Sequence, residues 1–190
     1  MEIVIILGLI FLNGILSMSE IAMVSARKSR LETAAKKGSK TAKTALRLAN
    51  EPDRFLSTIQ IGITLIGILT GLYSGEALAG DLARWLETIG IPQAHSLTLA
   101  KGIIVILVTY LTLILGELVP KHLGMNAPEK IARLIARPME VLSKIASPFV
   151  WLLSASTQAV IRLTGLHAST ENKVTEEEIK AIIQEGTEDG

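Results

Sequence analysis

The chain has 190 residues, 49% of them apolar, with a mean hydropathy of +0.45, which is richer in apolar residues than a soluble domain of this length. Nineteen basic residues meet eighteen acidic ones for a net charge of +1, so no global field points to nucleic acid. Cysteine is absent and the three histidines, His95, His122 and His167, are scattered, which excludes disulfides, thiolate chemistry and zinc-site spacing.

Residues 3–24 are apolar except for Asn13, Ser17, Ser19 and Glu20, and about 20 such residues cross a bilayer as a helix. Glu20, the missing basic n-region and the missing small-residue cleavage site argue against a signal peptide. Residues 27–54 carry nine basic residues against three acidic ones. This predicts a cytoplasmic basic helix lying on the membrane surface and an N-terminus outside. Without interleaved aromatics the cluster does not read as a nucleic-acid patch. A second span is expected over 55–78, then an external connection over 80–96 nearly free of Lys and Arg. A third span over 97–119 returns to the cytoplasm, where Lys121, Lys130, Arg133, Arg137 and Lys144 follow.

Over 138–170 the chain is apolar but interrupted by Pro148, Ser154, Ser156, Thr157 and Gln158. Juxtamembrane helices in the cytoplasmic interface are expected there, the alternative being a fourth span over 145–161. Residues 171–190 are acidic, and Thr175 with Glu178 predicts a capping box that opens a short linker helix. The expected fold is an all-α membrane protein: three transmembrane helices within 1–137, plus juxtamembrane amphipathic helices.

Polar groups inside spans are where function concentrates. Asn13, Ser17 and Glu20 share one face of the first span; Gln60, Thr64, Gly67, Gly71 and Ser74 share one face of the second. Gly62, Gly67 and Gly71 predict close helix approach. The third span ends in Gly116-Glu117-Leu118-Val119-Pro120-Lys121. Pro120 has no N–H to give and its ring crowds the carbonyl of Gly116, which is thereby freed beside the Glu117 carboxylate. Hydroxyls, carboxylates and a freed carbonyl at one level form a ligand set for hard cations such as Mg²⁺ or Na⁺. In the alternative, Ser17, Thr64 and the glycines only pack helices while Glu20 and Glu117 snorkel to the interface. No span pairs a nucleophile with a base or carries a His-Glu metal motif, so an enzyme is the least supported class.

The string Leu12-Asn13-Gly14-Ile15-Leu16-Ser17-Met18-Ser19-Glu20-Ile21-Ala22, the basic helix, Gln60-Ile61-Gly62-Ile63-Thr64-Leu65 and Gly116-Glu117-Leu118-Val119-Pro120-Lys121 together resemble the transmembrane domain of the CorC / cyclin M (CNNM) family of magnesium transporters. The resemblance covers nearly the whole chain. It implies a homodimer of three-span subunits in the plasma membrane, exporting Mg²⁺ from an inward-facing pocket, in exchange for Na⁺. It maps the serine ligand to Ser17, with its neighbour Ser19 as the alternative, and the carboxylate ligand to Glu117 beside the Gly116 carbonyl. Where some members carry a second-span asparagine this chain reads Thr64-Leu65-Ile66-Gly67, so Thr64 stands in. That departure keeps two other readings open: export of organic polyamines, and a non-transporting sensor anchored by the spans. The acidic tail from Val174 resembles the linker to a cytoplasmic CBS-domain pair that lies outside this sequence.

Overall fold

The structure is a computed structural model that describes residues 2–164; the acidic segment 171–190 and its capping box at Thr175 and Glu178 lie outside the described residues. It divides into two compact units, Met1–Val150 and Trp151–Gly190. The described residues are helical, without strands. Three stretches, Glu2–Ser25, Pro52–Thr88 and Gln93–Asn126, are long and apolar enough to cross a membrane.

Helix α1 (Glu2–Ser25) is the first span. The basic segment that follows is two helices rather than one, α2 (Lys28–Lys36) and α3 (Lys40–Asn50). Gly38 makes the break: its φ of +90° is a conformation that costs glycine little and an L side chain much. Ser39 then restarts the helix as N-cap, accepting from the Ala42 N–H at 3.2 Å. Pro52 opens α4 (Pro52–Ala77), at a position where its missing N–H breaks no helical bond. The connection to the third span is itself helical, α5 (Ala79–Thr88), whose Ala83 and Leu86 pack on Ala100. The Ser96 hydroxyl closes it by donating to Glu87 at 2.8 Å.

The third span runs through α6 (Gln93–Leu113), a π-helical turn (Ile114–Leu118) and α7 (Val119–Asn126). Helix α8 (Pro128–Leu163) is continuous, starting well before residue 138 and passing through Pro138 and Pro148. It continues because Ala132, Ile135, Ala136, Met139, Ser143 and Ala146 form one buried stripe at helical spacing, while both prolines sit on the exposed side. The stripe joins Leu31 of α2, Leu48 of α3 and Phe55 and Ile59 of α4 in a shared apolar core at one end of the bundle. Leu31 is fully buried there, which contributes about 1.5–3 kcal/mol for a helix of only nine residues. From Trp151 to Thr164 every residue of the second unit is exposed.

Candidate functional site

The first span meets the third at backbone distance. A Cβ on Gly14 would lie 2.9 Å from the Pro120 ring and 3.1 Å from the Leu115 carbonyl oxygen. One on Gly124 would lie 2.8 Å from the Met18 carbonyl oxygen, closer than real Cβ atoms come. The close approach therefore rests on these residues and not on the expected second-span glycines: around Gly67 and Gly71 an added Cβ would meet nothing within 4 Å, and at Gly62 only the flexible Leu16 side chain.

Along this seam the third span leaves α-helical geometry. Val119 N–H bonds to the carbonyl of Ile114, five residues back, and the ladder is already widened where Pro120 withholds its N–H from Gly116. The Gly116 carbonyl is not left open. Asn13 Nδ2 donates to it at 2.9 Å across the seam. Only the NH₂ of an amide can donate to a carbonyl, so this bond fixes the side chain and turns Oδ1 the other way. Asn13 Oδ1 is buried with no partner.

Ser17, one turn further along the same face, is 1% exposed and its Oγ likewise lacks a partner. Thr112 Oγ1, one turn before Gly116, is a third such oxygen. Ser19 is equally buried but donates to the Ile15 carbonyl at 2.6 Å, so its proton is satisfied within its own helix. Burying a hydroxyl or amide oxygen without a hydrogen bond costs about 1–3 kcal/mol. Neighbouring orphans on facing helices are therefore a property to be explained.

The charged groups of the site follow a turn later. Glu117 pairs with Lys121 at 2.8 Å, and the same ammonium lies 3.9 Å from Glu20 of α1. The Gln93–Asn126 stretch is 34 residues, about 50 Å at about 1.5 Å per residue, against about 30 Å of hydrocarbon. Its final third thus extends beyond the length needed to cross, and these side chains are partly exposed there. Among the described residues no three His, Cys, Asp or Glu side chains gather. A cation held here takes most of its ligands from neutral oxygens.

The second span contributes differently from expectation. Thr64 and Gly67 are exposed, as are Gln60 and Gly71. The interior face of α4 is instead Ile59, Ile66, Thr70 and Ser74, because the packing of α4 is set by its apolar stripe against Leu16 and its neighbours. Within one chain the unpartnered oxygens among the described residues come from two helices, α1 and α6, and none from α4. The hydroxyls that α4 does bury are satisfied locally: Thr70 donates to the Ile66 carbonyl at 2.8 Å and Ser74 to that of Gly71 at 3.1 Å. Asn13, Thr112 and Lys121 are the participants that sequence reasoning left out of the ligand set. Asn13 carried a signal, its place four residues before Ser17; the lysine reads equally well as a topology charge.

The cyclin M transmembrane N-terminal domain model matches residues 4–190. A UPF0053 protein of Synechocystis is 46% identical over the whole chain, which spans 42% of that relative. The UPF0053 protein YhdT of Bacillus subtilis is 31% identical over 96% of the chain and 40% of its own length. The polyamine export protein of Escherichia coli K12 is 29% identical over 97% of the chain and 41% of its own length. The chain thus spans about two fifths of these curated relatives. With the site built on the first and third spans and the family model matching from residue 4 to the last residue, the chain belongs to the cyclin M (CNNM) transmembrane-domain family.

Proposed function

We propose that this chain is the membrane domain of a cation exporter whose cargo is Mg²⁺, driven by Na⁺ entry. The observation that carries this reading is the pair of buried, unpartnered oxygens, Asn13 Oδ1 and Ser17 Oγ, on the face of α1 that packs against the broken turn at Gly116 and Glu117. A carbonyl oxygen has two lone pairs, so Gly116 can serve Asn13 and a cation together. Glu117 supplies the formal charge. Mg²⁺ demands compact oxygen coordination at about 2.0–2.1 Å and gives up its water reluctantly. The backbone-close seam at Gly14 and Gly124 suits a rigid cage of that size. Ser17 rather than Ser19 is the serine ligand in this reading, because Ser17 Oγ has no hydrogen-bond partner, whereas the Ser19 hydroxyl is oriented by its bond to the Ile15 carbonyl of its own helix. Thr64 and Gly67 join the set only if a rocking of α4, or a second subunit, turns their exposed face inward. The homodimer that the family resemblance implies has such a face available, with Gly67 and Gly71 open four residues apart. The charge pattern supports an N-terminus outside and α2, α3 and α8 in the cytoplasm, while the plasma membrane and cytoplasmic CBS domains are what the family resemblance implies.

A second reading, polyamine export, is favoured by one observation of its own. Lys121 Nζ sits between Glu117 and Glu20, so these carboxylates already hold an alkylammonium. A relative at 29% identity bears the name polyamine export protein. The test is flux in everted vesicles carrying the whole protein, following Mg²⁺, putrescine and Na⁺ for wild type and Glu117→Gln. Mg²⁺ movement abolished by the substitution is expected. Putrescine movement abolished instead selects the second reading, and a wild type that moves neither leaves these spans as the anchor of a sensor.

A further inference from the structure

The bundle carries a second concave feature, away from the Asn13–Glu117 seam and independent of its cargo. Where α1 hands over to α2 and α7 to α8, the Arg27 backbone N–H donates to Glu129 at 3.4 Å and draws the two junctions together. Between them opens a cleft of about 490 Å³ whose walls carry Arg30, Lys37, Lys130 and Arg133 against one carboxylate, Glu129. Glu129 pairs with Arg30 at 3.6 Å. Arg133 spends its Nε on the Glu129 backbone carbonyl at 3.3 Å. Lys37, Lys130 and the terminal nitrogens of Arg133 have no carboxylate partner among the described residues.

A neighbouring cleft on the same helical layer shows that this surplus is not a general feature of the surface. It is lined by Arg47, Arg54 and Lys144 together with Glu51 and Glu140. There every cation meets an acid: Arg47 and Lys144 hold Glu140, and Arg54 lies 3.9 Å from Glu51. That cleft sets three cations against two carboxylates, whereas the first sets four against one and keeps a surplus of three like charges in a concavity. Such crowding is unfavourable unless an anion enters. The surplus cleft lies where two membrane spans finish, the level of lipid headgroups. A guanidinium offers phosphate a forked, bidentate contact, and each nearby lysine adds attraction to an anionic surface.

We infer that the cleft between α2 and the start of α8 binds a phosphate-bearing anion, with Lys37, Lys130 and Arg133 as its ligands, and its depth makes a phospholipid headgroup the natural source. The experiment uses the full-length protein in detergent. Thermal stability is titrated with phosphatidylglycerol, phosphatidylcholine and, without lipid, inorganic phosphate. Wild type is compared with Lys37→Gln/Lys130→Gln/Arg133→Gln and with Lys28→Gln/Lys40→Gln/Lys43→Gln, which removes the same charge from exposed positions outside the cleft. Stabilisation by phosphatidylglycerol but not phosphatidylcholine is expected, weakened at least about tenfold in the cleft variant and less than about threefold in the control. Equal stabilisation by inorganic phosphate, lost in the same variant, assigns the site to a free phosphate group. Equal losses in the two variants, or no response to any phosphate, overturn the inference. Should the triple variant fail to fold, Lys130→Gln is read against Lys28→Gln: a larger loss for the first is expected, and equal losses again overturn it.

Discussion

Helix α1 has two packed flanks, and they are built on opposite plans. Toward α4 the contact is made by side chains: Leu16 reaches over Gly62, and the buried α4 hydroxyl of Thr70 bonds a carbonyl of its own helix at 2.8 Å. Toward the third span the contact is made by backbone, through Gly14, Gly116 and Gly124, and the polar atoms at the seam are left over. An interface that only held helices together would resemble the first. The second leaves buried oxygens without hydrogen bonds, and that contrast is what makes the seam the candidate site.

The largest expected effect on the scaffold comes from filling the seam. Gly124→Ala puts a Cβ against the Met18 carbonyl oxygen, an atom that cannot rotate away. Overpacking of this kind costs about 1–3 kcal/mol, and unfolding in mixed detergent micelles should register it. Gly62→Ala, on the α1–α4 flank, meets only the movable end of the Leu16 side chain and should shift stability by less than about 1 kcal/mol. Equal effects at the two glycines would erase the distinction between the flanks.

Next in size is the loss of a single orphaned oxygen. Ser17→Ala removes an unsatisfied hydroxyl from the interior, so the protein should be no less stable, yet cation affinity measured by isothermal titration should fall about tenfold. Ser74→Ala, which deletes a satisfied hydroxyl on α4, should show the reverse, a small stability loss with affinity unchanged. A Ser17→Ala variant that binds as wild type would mean that Ser17 Oγ is not a ligand.

Much of this was legible in the sequence, and the reasons for the rest are physical. The three spans follow from apolar run length, and the freeing of the Gly116 carbonyl from the chemistry of Pro120. That Asn13 would claim this carbonyl was not legible, since the bond joins residues 103 apart in the chain and depends on the seam being glycine-close. Gly67 and Gly71 carry the same small-residue pattern as a helix contact, and only tertiary packing decides which glycines meet a neighbour within one chain. Likewise Gly38 is a single residue in a basic, helix-forming stretch, and its left-handed φ divides that stretch into two helices.

The smallest effect belongs to a polar group with every partner in place. Glu140 on α8 is held by Lys144 at 3.2 Å and by Arg47 of α3. The Lys144 hydrogen bond, reinforced by the Arg47 charge, lowers its carboxyl below the ordinary glutamate value despite some opposing desolvation. A carboxyl with a depressed native pKa contributes stability above its unfolded pKa and loses it as pH falls through the native value. Glu140→Gln should therefore lower Tm slightly at neutral pH, and the difference from wild type should close as the buffer is taken below the carboxylate range. The pair is largely solvent-exposed on its basic side, with Arg47 58% and Lys144 70% exposed, so salt should close the same gap. A deficit that persists in acid and in high salt would show that Glu140 acts by packing α8 on α3, and that this corner follows the side-chain plan of the α1–α4 flank.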